Sequence, residues 1–185
     1  MKRSLIALAL ASLLPLAASA NDQLSYTYVE GSYIGIDGDG GFDSDGYKLR
    51  GSLALGASGL YTFGAYQRVD VDNTNITGDG HEFGLGYGHG LSDRTDLITE
   101  LAHQRTDYDF AKIDGFRTSV GLRTAMSPQV EGLLKANYYD GSDYSGDLSA
   151  TLGLQFKLGQ TWGINSEVEV GSEANSYQVG LRASF

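Results

Sequence analysis

Residues 148–158 read Leu-Ser-Ala-Thr-Leu-Gly-Leu-Gln-Phe-Lys-Leu. Leu148, Ala150, Leu152, Leu154, Phe156 and Leu158 take one parity; Ser149, Thr151, Gly153, Gln155 and Lys157 take the other. Successive side chains of a strand point to opposite faces, so this period of two specifies a sheet with one apolar and one polar side. The same pattern recurs in ten runs, near residues 24–36, 46–56, 60–71, 81–89, 95–106, 116–126, 129–139, 148–158, 162–171 and 176–185. Runs of about ten residues match the length of a tilted membrane-crossing strand. The two prolines, Pro15 and Pro128, fall outside every run, as unbroken ladders require.

A soluble β-sandwich also alternates, but two features favour a membrane barrel. The breaks at 57–59, 91–94, 127–128 and 159–161 are tight, whereas 37–45, 72–80, 107–115 and 140–147 are longer and acidic. Short turns at one end and longer loops at the other are expected of an outer-membrane barrel. Charge is also partitioned: aspartates gather in the breaks, while most glutamates, arginines and lysines lie inside runs on the polar parity. The expected fold is therefore all-β, an antiparallel up-and-down transmembrane barrel of ten strands, with eight as the alternative if the ill-phased fifth run is demoted. An even count brings the first and last strands together antiparallel.

With the apolar parity facing lipid, the polar parity lines the bore. The predicted lumen network is Glu30, Lys48, Arg50, Arg68, Glu82, Glu100, Arg117, Arg123, Glu131, Lys135, Lys157, Glu167, Glu169 and Arg182. Unpaired buried charge is costly, so carboxylates and cations are expected to face one another. The predicted aromatic girdles are Tyr61, Phe63, Tyr87, Phe156, Trp162 and Phe185 at the periplasmic end, and Tyr47, Phe116, Tyr138 and Tyr177 at the outer end. Inward glycines such as Gly84, Gly86, Gly88, Gly121, Gly153 and Gly180 leave room for long charged side chains.

Ahead of the first run, Lys2 and Arg3 precede an apolar stretch and Ala18-Ser19-Ala20. This predicts a signal peptide over residues 1–20 and a barrel over 21–185. Without Lys2 and Arg3 the formal net charge falls from −10 to −12, which disfavours nucleic acid as a partner. The chain has no cysteine for disulfides or thiolate metal sites. Expected partners are outer-membrane lipid, lipopolysaccharide and, through the terminal strand ending in Phe185, the barrel assembly machinery; the barrel is expected to be monomeric.

No cofactor, metal or catalytic residue is predicted. Asp37-Gly-Asp-Gly-Gly-Phe-Asp-Ser-Asp-Gly46 departs from a calcium loop at Gly41 and lacks the distal Glu. His81 lies near Asp72 and Asp79 in sequence, but a catalytic pair needs a second activating group and a cleft.

Leu24-Ser-Tyr-Thr-Tyr-Val-Glu-Gly-Ser-Tyr33, Phe83-Gly-Leu-Gly-Tyr87 and Leu91-Ser-Asp-Arg-Thr-Asp-Leu97 resemble a small outer-membrane β-barrel family of xanthomonad bacteria. Members of that family were once proposed as quorum-sensing factors and as tyrosine-sulfated elicitors of plant immunity. The resemblance implies an outer-membrane location and places the sulfated position at Tyr26. The residues themselves favour Tyr26 as a structural aromatic, in the girdle or filling the barrel mouth; with Glu30 inward, Tyr26 and Tyr28 point toward the lumen mouth. The function expected first is structural or surface-interacting, with the lumen largely plugged by the Glu/Arg/Lys network and acidic loops facing outside, affecting envelope properties, adhesion or biofilm; a narrow diffusion channel is the alternative, with an enzyme or a secreted signal behind it.

Overall fold

Each alternating run pairs with its neighbours in the chain, and the ladder closes on itself. The computed structural model describes residues 23–38, 43–108, 110–141 and 146–185. The expected signal peptide lies outside these residues, as do parts of the acidic stretches at 37–46 and 140–147. The strands are β1 (Tyr28–Gly38), β2 (Ser44–Ala54), β3 (Leu60–Val71), β4 (Thr77–Ser92), β5 (Thr95–Tyr108), β6 (Lys112–Ala125), β7 (Val130–Gly141), β8 (Asp147–Lys157), β9 (Trp162–Gly171) and β10 (Ala174–Ser184). They form a closed antiparallel barrel in sequence order, with β1 beside β10. The fifth run is a full strand, so the eight-strand alternative falls away.

β1 starts and β10 ends at one rim, which in outer-membrane barrels is the periplasmic one. Closure satisfies every strand edge, a requirement where no water can reach the backbone. A belt of exposed apolar residues covers the outside, including Leu49, Leu53, Leu85, Leu101, Leu134, Leu152, Val168 and Leu181. The chain is thus inverted relative to a soluble domain: its aliphatic parity meets lipid and its polar parity is buried.

The loops differ from expectation. β4 begins at Thr77 and β6 at Lys112, earlier than the apolar alternation suggested, and β5 continues to Tyr108. Much of the predicted loop sequence at 72–80 and 107–115 therefore lies in ladder: Arg68 pairs with Asp79, and Asp107 with Lys112. These polar strand ends project past the apolar belt, so their side chains never alternate in hydropathy even though their backbone pairs.

Candidate functional site

Among the described residues, buried charge concentrates in the bore. Even-numbered residues of β1, β2, β4, β5 and β10 and odd-numbered residues of β3, β6, β7, β8 and β9 point inward. On that wall Glu30, Glu82, Asp96, Glu100, Glu131, Asp147, Glu167 and Glu169 face Lys48, Arg50, Arg117, Arg123, Lys135, Lys157 and Arg182.

Most of these charges pair along the wall. On β9, β10, β1 and β2, Arg182 binds Glu30 at 2.6 Å and approaches Glu167 at 3.8 Å, while Arg50 binds Glu167 at 3.1 Å. On β4 to β7, Arg117 binds Glu82 at 3.0 Å and Glu100 at 2.9 Å, and Lys135 binds Glu100 at 3.2 Å. Nearer the periplasm, Glu131 takes Arg123 and Lys157, each at 2.6 Å. Glu169 differs: the hydroxyls of Tyr139, Ser149 and Thr151 donate to it. Lys48 has no ion pair within 4 Å among the described residues and lines a cavity of about 240 Å³ at the outer end with Glu82, Gln104 and Glu169.

Arg68 does not belong to this network. It stands on the outer surface beside Asp79, at 3.8 Å. Tyr61 and Phe63, assigned to the periplasmic girdle, are instead buried inside the barrel. One cause explains all three. The β2–β3 register sets Arg50 against Ala65 and Leu49 against Tyr66, so the mixed parity of β3 faces outward and its apolar parity inward. Directly opposed residues share a face, so the neighbouring strand overrides the hydropathy of β3.

The inward side of β3 and the segment before β1 meet three glycines of β4. A methyl group at Gly84, Gly86 or Gly88 would overlap the rings of Phe63, Tyr61 and Tyr26 respectively. These glycines therefore seat aromatic rings, whereas Gly121 and Gly153 do leave space for the stems of Lys135 and Glu167. The rings, with Leu24, Ile98, Ala102 and Ala125, make a compact apolar cluster in the periplasmic part of the bore.

Residues 23–27 complete that cluster. The Tyr26 ring stacks on Tyr61 with centroids 4.6 Å apart, and its hydroxyl donates to Asp96 at 2.7 Å. The Arg123 guanidinium lies 5.0 Å from the Tyr26 centroid and donates to the Ser25 carbonyl at 2.8 Å. Lys157 donates to the Gln23 carbonyl at 3.1 Å. Asp96 and Arg123 thus reach across the bore to the segment preceding β1. A second cavity, about 360 Å³, opens at this rim between that segment and Lys157, Trp162 and Phe185. The parity of Gly84, Gly86 and Gly88, opposite a strand carrying Tyr61 and Phe63, is the sequence signal that could have located this cluster, which with residues 23–27 plugs the periplasmic mouth.

The other girdle residues lie on the outer surface. Tyr47, Phe116, Phe156, Trp162, Tyr177 and Phe185 are exposed, and Tyr87 and Tyr138 are half-buried. By its parity on β4 His81 faces outward, 5.2 Å from the Tyr66 ring, at the edge of the outer-end cavity. No group of metal-ligating residues occurs among the described residues.

The family model for the Gram-negative porin matches residues 15–109, half of the sequence. The chain belongs to the Gram-negative porin family. No curated protein matches it in sequence. Among solved structures, the KdgM porin is 16% identical, over 85% of this chain and 99% of its own, with a TM-score of 0.53. The KdgM porin in complex with disordered oligogalacturonate gives the same identity and coverage and a TM-score of 0.50. The translocator domain of autotransporter NalP from Neisseria meningitidis is 11% identical, over 100% of this chain and 94% of its own, with a TM-score of 0.53. These likenesses share the fold, and with the family they place this porin in the outer membrane of a Gram-negative cell.

Proposed function

We propose that this porin is a narrow channel for small hydrophilic solutes, restricted at its periplasmic mouth by residues 23–27. The observation that carries this reading is the lining of the bore. Charge pairs line the wall along the bore, a polar path for a hydrated solute, whereas a purely structural barrel could close on a packed apolar core. Cavities at both ends support the same reading. Family membership favours conduction over the structural, adhesive or biofilm role that the sequence put first.

The restriction at the mouth is continued inward by buried charge pairs, since Glu30, Arg117, Glu167 and Arg182 are buried too. Tyr26, its partners Asp96 and Arg123, and the rings of Tyr61 and Phe63 fill the mouth. Solutes pass when the Tyr26 ring leaves its seat on Gly88. The buried ring and the bond to Asp96 also support a role for Tyr26 within the barrel ahead of a sulfated signal released from it.

Swelling of liposomes containing the purified chain tests the reading. Glycine and a pentose should enter and a trisaccharide should not. Liposomes as tight to all three as protein-free ones would leave a structural barrel as the better description.

A further inference from the structure

Lysine and arginine are unevenly placed on this barrel. Beyond residue 20, all but four face the bore. Arg94 sits in the periplasmic turn between β4 and β5. The other three, Arg68, Arg105 and Lys112, stand together on the outward face near the outer ends of β3, β5 and β6. His81 and His103 share that face.

The strand register makes the grouping a patch. One outward row runs Arg68, Asp79, Asp107, Lys112; the next runs Tyr66, His81, Arg105, Asp114. Below them come Phe83, His103 and Phe116, and then Leu85 and Leu101 of the lipid-facing belt. The charged rows therefore begin where the apolar belt ends, at the height of the outer-leaflet headgroups. Among the described residues, the outward faces of β7 to β10 and β1 carry no lysine or arginine.

The aspartates hold these cations loosely. Arg105 meets Asp107 at 3.3 Å and Asp114 at 3.9 Å, Lys112 meets Asp107 at 3.3 Å, and Arg68 meets Asp79 at 3.8 Å. Ion pairs this exposed add little to stability. Their side chains remain 42–65% exposed, which leaves most guanidinium and ammonium donors available to a further acceptor. Phosphate suits such a fork of donors, and the exposed Phe83, Leu101 and Phe116 beneath suit acyl chains.

We propose that Arg68, Arg105 and Lys112, with His81 and His103, bind the phosphates of the phosphorylated glycolipid of the outer leaflet, lipopolysaccharide, whose acyl chains then lie over the apolar rows below. Divalent cations that accompany these phosphates bridge to Asp79, Asp107 and Asp114. The site is independent of conduction.

The test uses the full barrel refolded in detergent, titrated with bis-phosphorylated lipid A and with its dephosphorylated form. The phosphorylated lipid should bind about tenfold more tightly or better, at roughly fivefold for each basic residue near a charged surface. Arg68→Gln/Arg105→Gln/Lys112→Gln should lose that preference and Arg94→Gln should keep it. Equal affinity for the two lipids overturns the proposal, as does full retention in the triple variant or equal loss in Arg94→Gln. Displacement of the lipid by inorganic phosphate would make this a free-phosphate site and overturn the assignment to lipid. Should the triple variant not refold, the comparison of the two lipids on the unaltered chain decides.

Discussion

Arg182→Met should be among the most damaging single substitutions in this barrel. Glu30 and Arg182 are directly opposed across the closing seam between β1 and β10. Glu30 is 1% exposed, and Arg182 grips one of its oxygens through Nε at 2.7 Å and Nη2 at 2.6 Å. With Arg182 removed, the buried carboxylate keeps the Ser32 hydroxyl at 3.0 Å and the charge of Arg50, directly opposed to it on β2. Losing one partner of a buried pair costs about 3–5 kcal/mol, and Arg182→Met belongs within that range. Glu30→Gln belongs near the bottom, since the guanidinium retains Gln155 at 3.0 Å, Glu167 at 3.8 Å and the Tyr28 ring at 4.1 Å. The double variant leaves no orphaned carboxylate at position 30 and should be less damaged than the two singles summed, by about 2 kcal/mol of coupling. Reversible urea unfolding in lipid vesicles measures all four corners of the cycle. Single costs under about 1 kcal/mol that simply add would refute the reasoning, because they would mean that water solvates both charges at the seam.

Gly86→Ala puts a methyl into the Tyr61 ring and should destabilise by about 1–3 kcal/mol in the same assay. Gly51→Ala, with no atom within 4 Å of the new methyl, should stay within about 0.5 kcal/mol. Asp96→Leu removes the acceptor of the Tyr26 hydroxyl and should cost about 1–3 kcal/mol; limited proteolysis from the periplasmic side should then cut within residues 23–27, and equal resistance would contradict the role given to that bond.

The ten strands and the inward charges were legible because each carries a period of two over enough residues to fix a face. β8 shows this best, since every residue from Leu148 to Lys157 follows the rule. β3 failed for a physical reason. Tyr61 and Phe63 are as apolar as any lipid-facing pair, and the side they take is set by the register with β2 and by the space over Gly84 and Gly86. Neither is visible along a single strand. Arg68 was misplaced with them, because a cation at a strand end is as well served by interfacial phosphate and water as by the lumen. The outer ends of β4 and β6 look like loops in the sequence because polar residues pair there outside the apolar belt, where hydropathy carries no signal. The plug combines both difficulties: Tyr26 precedes β1, and its partners Asp96 and Arg123 lie on β5 and β6, on the far side of the bore.

Single-channel recording from planar bilayers, comparing the unaltered chain with Tyr26→Ala, tests the channel reading most directly. The unaltered barrel should give a small conductance, and removal of the ring from its seat on Gly88 should raise it severalfold. Two electrically silent proteins would contradict conduction, and two equal conductances would contradict restriction at the periplasmic mouth.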